Sequence, residues 1–460
     1  MRRLVLTALF VIPMGCTAGP NYTRPIVSVP DSYRQPYSTA SSQQAESLGA
    51  EKWWDVFQDA GLQQLIRTAI ENNYDVRIAA SRVLQARAQL GITRAGQFPS
   101  VNAGAGIIKQ RAKSQQSGSV QTAGGQVTVA TAWDLDFWGK YRRATEGARA
   151  TVLADEWAQK EVISTLVADV AIDYFQLRAL DSQLEISKRT LSARNESLQL
   201  TQKLEHAGID SMTDVREAEQ LVYIAAAEVA DLERQVTQQE NAVSILLGRN
   251  PGDVPRGLAL TQQPHAPNVP MGLPSSLLER RPDIRQAEEN LVSANAQIGV
   301  ARASFFPSIS LTGDGGFQSS ALASLFTGPA KIWSLAASVI EPVFEGGRLR
   351  NNLRLAEAER EQMLLTYRQT IQGAFRDVSD GLVAYQKNRE FRIQQEGLYG
   401  SATDAARLSQ IRFRAGASSY LEVLTNETTA FSAELNLAQA RANELIALAD
   451  LYRALGGGWQ

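Results

Sequence analysis

The sequence predicts a mainly α-helical chain with a smaller β-barrel portion, built as two copies of one structural half. Three observations predict it. Residues 75–250 align with residues 283–458 at a constant offset of 208, without a gap. Proline is absent between Pro99 and Pro251 and again after Pro342, which leaves room for two long helical stretches, because a proline inside a helix costs about 3 kcal/mol. Between those stretches, residues 127–137 and 308–318 alternate with period two, the period of a strand.

The offset is legible in particular residues. Asp75-Val76-Arg77 meets Asp283-Ile284-Arg285, Phe98-Pro99-Ser100 meets Phe306-Pro307-Ser308, and Ala207-Gly208 meets Ala415-Gly416. A repeat of about 200 residues is too long for a solenoid unit of about 20–50. It reads as duplication of a large half, which builds a symmetric wall more readily than one local catalytic constellation.

The chain starts Met1-Arg2-Arg3, runs almost wholly apolar from Leu4 to Ile12, and continues Pro13-Met14-Gly15-Cys16. That pattern is a signal peptide over 1–15. Cys16 is the only cysteine, so a disulfide within the chain is excluded. Lipidation of Cys16 after cleavage at Gly15 is the functional reading; a spare thiol in a discarded signal is the plain one. Each buried methylene of an acyl chain adds about 0.8 kcal/mol of anchoring. An N-terminal tether and equatorial segment follows over 16–60. Pro20, Pro25, Pro30 and Pro36 keep its first part extended, residues 37–50 read as loop, and helical patterning begins near Leu62. The first repeat occupies 61–250, a connection 251–274, and the second repeat 275–460.

The long stretches carry heptads. Val215, Val222, Val229, Val236 and Val243 lie seven apart, with Ala218, Ala225, Leu232 and Leu246 in a companion column interrupted by Gln239. The second half keeps the register with Val423, Ala430, Leu437 and Leu451, broken at Glu444. Such stripes pack knobs into holes against a neighbouring helix; an ordinary bundle core is the competing reading. A helix from Arg142 to His206 would be roughly 100 Å long at 1.5 Å per residue, more than a compact domain needs.

The strand regions form hairpins near 100–137 and 308–343. Val127, Val129, Thr131, Trp133 and Leu135 alternate with small or polar residues, which suits lipid on one face and water on the other. A soluble antiparallel sheet on a core is the alternative. Four strands per chain cannot close a barrel, and an open edge in lipid leaves backbone groups unpaired. A membrane barrel would therefore be shared among chains.

Composition excludes several classes. A net charge of −2 gives no electrostatic basis for nucleic-acid binding. No apolar run reaches the length of a transmembrane helix. Two histidines, His206 and His265, and one cysteine form no metal-ligand pattern. Gly104-Ala105-Gly106 lies in a strand-like region without a phosphate-loop context. The chain reads as no enzyme and as needing no cofactor.

Cys16-Thr17-Ala18-Gly19-Pro20-Asn21-Tyr22, Trp53-Trp54 with Phe57, Trp138-Gly139, Arg281-Pro282-Asp283-Ile284, Phe306-Pro307-Ser308-Ile309 and Pro342-Val343-Phe344-Glu345-Gly346-Gly347-Arg348 stand in order along the whole mature chain. In these motifs the chain resembles the TolC-like outer-membrane factors of tripartite efflux pumps, in their lipoprotein branch, the NodT family. The resemblance implies a homotrimer, a shared twelve-stranded barrel in the outer membrane and a coiled-coil helical tunnel across the periplasm. It also implies a mixed α/β belt using the chain termini and the 251–275 connection. The expected function is passive exit of drugs, solvents or other small toxic compounds. The expected partners are a periplasmic adaptor (membrane fusion) protein, an inner-membrane resistance–nodulation–division transporter and outer-membrane lipid.

By the same resemblance the turns at Gly208 and Gly416 carry a periplasmic gate, with Asp210, Asp214, Arg412, Arg414 and Glu422 as candidates. Capping of the following helices competes for the acids. Asp134, Asp136 and Asp314 are candidates for pore-facing barrel positions. Two other functions stay open at this point: an exit duct for type I protein secretion, and a lipid-anchored periplasmic coiled-coil scaffold without a pore.

Overall fold

A computed structural model describes residues 17–30, 47–114, 118–264 and 274–459. Cys16 and His265 lie outside the described residues. The elements run α1 (Trp53–Val56), α2 (Ala60–Asn72), α3 (Tyr74–Ala95), β1 (Ser100–Ser114), β2 (Gly118–Leu135), α4 (Lys140–His206), α5 (Met212–Leu246), α6 (Pro274–Arg280), α7 (Pro282–Ala303), β3 (Ser308–Ser319), β4 (Lys331–Ile340), α8 (Arg348–Arg414) and α9 (Tyr420–Ala454). The duplication extends to element boundaries. Adding 208 to the limits of α3, α4 and α5 gives those of α7, α8 and α9 to the residue.

The helices follow from local chemistry. Helices α4 and α8 each run 67 residues through the stretches without proline. Asp59 caps α2, its carboxylate accepting from the backbone of Gly61 at 2.8 Å and Leu62 at 3.3 Å. Along α5 the stripe buries Val215, Ala218, Leu221, Ala225, Leu232 and Val243. Along α9 it buries Val423, Leu437, Ala440, Ala447 and Leu451. The two heptad interruptions have physical partners. Gln239 donates to the Asp173 carbonyl at 3.1 Å, and buried Glu444 accepts from Arg392 of α8.

The chain divides into two compact units. One comprises Met1–Ile26, Arg82–Asp155 and Gln286–Arg368, and holds the sheet; the other comprises Val27–Ser81, Glu156–Arg285 and Gln369–Gln460, and holds the α4–α5 and α8–α9 turns. The sheet is antiparallel, in the order β1-β2-β3-β4. Both halves of the repeat thus contribute to one continuous sheet, joined where β2 pairs β3 from Gly125↔Ser319 to Leu135↔Ile309.

Among the described residues of the connection, 251–264, the regular element is the 3-10 turn Leu260–Gln262. Asp59 pins this segment: its carboxylate takes the backbone N–H of Leu258 and the side chains of Tyr174 and Gln263. One expectation is corrected: Leu48–Ala50 is not loop but a 3-10 turn capped by Ser47, whose hydroxyl accepts from Gly49 N at 3.3 Å, with Leu48 and Gly49 buried; an added Cβ at Gly49 would sit 2.4 Å from the Leu455 carbonyl. Residues 17–26 are extended, and residues 18–24 bond to α4 and α7.

Candidate functional site

The register sorts the sheet into two faces. One row reads Val101, Thr131, Gly313, Leu335; others read Ala103, Val129, Gly315, Trp333 and Ala105, Val127, Phe317, Lys331. With Trp133, Leu311 and Ala337 and with Leu135, Ile309 and Val339, these form an apolar face. The alternate positions carry Asn102, Thr128, Asp134, Ser310, Thr312, Asp314 and Ser334. The apolar face is uncovered: Val101 is 67%, Leu335 77% and Trp333 81% exposed. Water does not tolerate a patch of that kind on a monomer; lipid does. Among the described residues no helix is long and apolar enough to cross a membrane. Aromatics lie within the apolar rows toward both ends. Trp133 donates to the Gln97 carbonyl at 3.1 Å, and Phe317 meets Phe326 edge-on at 5.6 Å. Six residues separate their rows, about 20 Å along the strands.

Within the chain β1 and β4 are edges, each paired on one side only. Their free backbone groups are the physical demand for a further strand.

Asp134 and Asp314 lie on the polar face. Asp134 accepts from the Tyr141 hydroxyl at 2.9 Å, and Asp314 accepts from Ser334 directly across the β3–β4 ladder. Asp136 falls past the end of β2. Its carboxylate accepts from the backbone of Tyr141 at 3.1 Å and Arg142 at 2.8 Å, so it satisfies the free N–H groups that open α4. The period-two pattern runs to residue 137, two residues past the end of β2 at Leu135, where the helix start claims Asp136.

Beside this end of the sheet the N-terminal segment is locked. Ala18 donates to the Trp138 carbonyl at 2.9 Å. Trp138 stacks on Phe306 with centroids 4.8 Å apart and donates to the Pro307 carbonyl at 2.8 Å. Arg143, buried, reaches the Ala18 carbonyl at 3.2 Å and Asn21 at 2.7 Å. Gly19 has φ +92° and lies so close to α7 that an added Cβ would sit 2.5 Å from the Gly299 Cα. Arg24 pairs with Glu288 at 2.7 Å. Arg143 escaped the sequence reading, since one arginine at a helix start carries no spacing signal.

The turns between paired helices use glycine where the chain needs positive φ: +75° at Gly208 and +68° at Gly416. After the first, Ser211 and Asp214 form a capping box, with Asp214 accepting from Ser211 N at 3.0 Å. After the second, Ser419 makes no side-chain cap, and Glu422 instead lies 3.6 Å from Arg412 of the preceding helix. Arg414 is exposed, as is His206 at the matching position of the first half. Asp210 has a buried carboxylate oxygen without a hydrogen-bond partner; burial, then the nearby Asp214, pushes its carboxyl above the ordinary range. Beneath the turns, Ala218, Tyr420 and Val423 pack with Leu198 and Phe413. Arg194, also missed from sequence, is buried there. It donates to the Leu221 carbonyl at 2.8 Å and lies 4.8 Å over Phe431. Two of its nitrogens lack partners, and burial depresses its pKa.

Among the described residues no group of three His, Cys, Asp or Glu side chains is placed to hold a metal. The arrangement offers a membrane-suited face, a polar face and charged turns.

Comparison with known proteins agrees with this layout. The profile of the family described as "Outer membrane efflux protein" matches residues 65–249 and 273–457, two spans that are themselves 208 residues apart. The chain is 37% identical over 454 residues to the toluene efflux pump outer membrane protein TtgC of Pseudomonas putida, covering 97% of this chain and 93% of the relative. It is equally similar to the antibiotic efflux pump outer membrane protein ArpC of the same species, at 37% over 454 residues with the same coverage. Among solved structures, the open state of the Neisseria gonorrhoeae MtrE outer membrane channel superposes with a TM-score of 0.86 at 32% identity, covering 97% of this chain and 99% of that one.

Proposed function

This chain belongs to the outer membrane efflux protein family, and we propose that three copies close one twelve-stranded barrel. It is an outer-membrane channel of an efflux pump. The observation that carries the proposal is the sheet itself. It has an uncovered apolar face, a polar face and two strand edges unpaired within the chain. Three copies would satisfy every edge and face the polar rows inward. Twelve strands also leave room for a water-filled lumen, which eight would fill with side chains. The proposed cargo is small and toxic, drugs or organic solvents, in keeping with the names of the relatives. A passive duct has no catalytic group to offer, so a periplasmic adaptor and an inner-membrane transporter of the resistance–nodulation–division class would supply drive and selection. Expression in a host lacking its own efflux channel tests this: restored solvent tolerance together with trimers that conduct in planar bilayers is expected. A non-conducting monomer would overturn it and favour the scaffold.

Two finer assignments join the proposal. The first is acylation of Cys16. The segment that follows begins at the aromatic edge of the sheet, where Thr17 lies against Gly139 and Ala18 donates to the Trp138 carbonyl, a start suited to an anchored residue before it. Mass spectrometry of the mature N-terminus reads this directly. The second is a gate at the Gly208 and Gly416 turns. Here Arg412–Glu422 is the pair joining two helices, while Asp210, Asp214 and Arg414 add charge beside it. Arg412→Ala and Glu422→Gln should each raise single-channel conductance several-fold, as loosened charge pairs widen a constriction. Parental conductance in both variants would remove these turns as the gate.

A further inference from the structure

The charges of the sheet are distributed in a way that the channel reading does not use. Between Val101 and Trp133 every charged residue is basic: Lys109, Arg111 and Lys113. Between Ser308 and Ile340 the charged residues are Asp314 and Lys331. By alternation, Lys109 and Arg111 fall on the same face as Val101, Ala103, Ala105 and Ile107, just past the apolar rows. Lys331 shares the row of Phe317, Val127 and Ala105, also on the apolar face. The acids of the sheet, Asp134 and Asp314, are on the other face, bonded to Tyr141 and Ser334. Lys109, Arg111 and Lys331 are all exposed.

An outward cation just beyond a lipid-facing band sits at headgroup level, with its stem along apolar surface. The last rows at the opposite end of the band hold no cation: Trp133, Leu311 and Ala337, then Leu135, Ile309 and Val339. The cations therefore mark one leaflet, the one on the side of the β1–β2 and β3–β4 loops. They also sit on both edge strands. Closing the sheet between copies, which rests on the barrel proposed above, sets β1 of one chain beside β4 of the next. That brings Lys109 and Arg111 to the same seam as the neighbour's Lys331.

We propose that each seam is a binding site for the phosphorylated headgroup of a lipid in the outer leaflet. Arg111 can grip phosphate oxygens in bidentate fashion, and the two lysines add point charges. A basic residue near an anionic membrane surface contributes about fivefold in affinity, so three give on the order of 100-fold.

The test uses the full-length trimer reconstituted in phosphatidylethanolamine nanodiscs doped with bis-phosphorylated lipid A or with its dephosphorylated form. Mild detergent extraction and native mass spectrometry then count retained lipid, and conductance is measured in parallel. The parent should keep phosphorylated lipid A and lose the dephosphorylated form. Lys109→Gln/Arg111→Gln/Lys331→Gln should retain on the order of 100-fold less while still conducting. The charge-preserving Lys109→Arg/Arg111→Lys/Lys331→Arg variant should retain it, which separates charge from packing. Conducting trimers that hold both lipids equally, or a neutralised variant that binds like the parent, would overturn the lipid site alone. Parent protein that neither trimerises nor conducts would overturn the barrel, and the composite seam with it. A neutralised variant that aggregates through its strands, beside a parent with no phosphate preference, would assign the cations to edge protection.

Discussion

The buried pair Arg392–Glu444 permits a quantitative test of how the two halves pack. Glu444 is 4% and Arg392 8% exposed. Burial works against the arginine's charge, but Glu444 and then Glu396 hold its pKa above the ordinary value. At the matching positions of the first half stand Leu184 and Val236, so the protein supplies its own apolar replacement. Glu444→Val alone leaves a buried guanidinium whose remaining partner, Glu396 at 2.9 Å, is 39% exposed. Removing one member of a buried pair costs about 3–5 kcal/mol; the surviving contact argues for the lower end. Arg392→Leu/Glu444→Val removes both charges and should recover most of the loss, since apolar replacements of buried pairs are often neutral or stabilising by about 1–4 kcal/mol. The assay is the loss of helical circular dichroism on heating in detergent. The apparent midpoint is compared at one scan rate, because channels of this size unfold irreversibly. The order expected is single variant lowest and double variant near the parent. A double variant melting no higher than the single would refute the claim that the unpaired charge, and not lost packing, sets the cost.

Two further outcomes follow from local geometry. Gly19→Ala places a Cβ 2.5 Å from the Gly299 Cα at a φ of +92°, so residues 17–26 should undock; faster hydrogen exchange confined to that segment, with little change in the melting midpoint, is the readout, and unchanged exchange would remove Gly19 from the lock. Burial, then the neighbouring Asp283, pushes the Glu161 carboxyl above the ordinary range. Its contribution to stability is therefore present below the unfolded value of about 4.3 and lost as pH rises through the folded one. Glu161→Gln should melt above the parent at pH 7, with the gap closing toward about pH 4, and a gap constant across that range would contradict the assignment.

What was legible in the sequence was whatever repeats. The helices could be read because proline spacing and valine or alanine heptads are one-dimensional signals, and the strands because alternation is. Even the limits of the long helices follow from the offset once one copy is known. What resisted reading was held by single side chains reaching far along the chain. Asp59 gathers Tyr174, Leu258 and Gln263, and Arg143 clasps residues 18–21; neither has a periodic neighbour to betray it. The Asp59 cap had a weak local signal, an acid two residues before Gly61 at a helix start. Arg194 had none, because a charge on a helix reads as solvent-facing until the neighbouring helices are in place. The heptad breaks at Gln239 and Glu444 were visible, but only the partners Asp173 and Arg392 explain them.

The same reasoning bears on the two turns. Asp214 and Glu422 occupy equivalent positions on chain paths that match to the residue, yet they do different work. The position that faces Glu422, Arg412, corresponds to Leu204 in the first half. With leucine there, the position matching Arg412 offers Asp214 no cation; its short side chain folds back on Ser211 and closes a capping box. With arginine there, the longer Glu422 turns toward the preceding helix, and Ser419 is left without a side-chain cap. Duplication thus preserved the backbone and divided the labour of one acid: one hairpin secures its own turn, and the other ties its two helices together. In a trimer the turns would alternate around the axis between a self-capped kind and a cross-tied kind. Breaking Arg412–Glu422 would loosen the second kind beside its turn. Exchanging the residues tests this: Leu204→Arg with Asp214→Glu should give the first hairpin a cross-tie and lower conductance below the parent. Parental conductance would mean that the pair at 412 and 422 stabilises its hairpin without controlling passage.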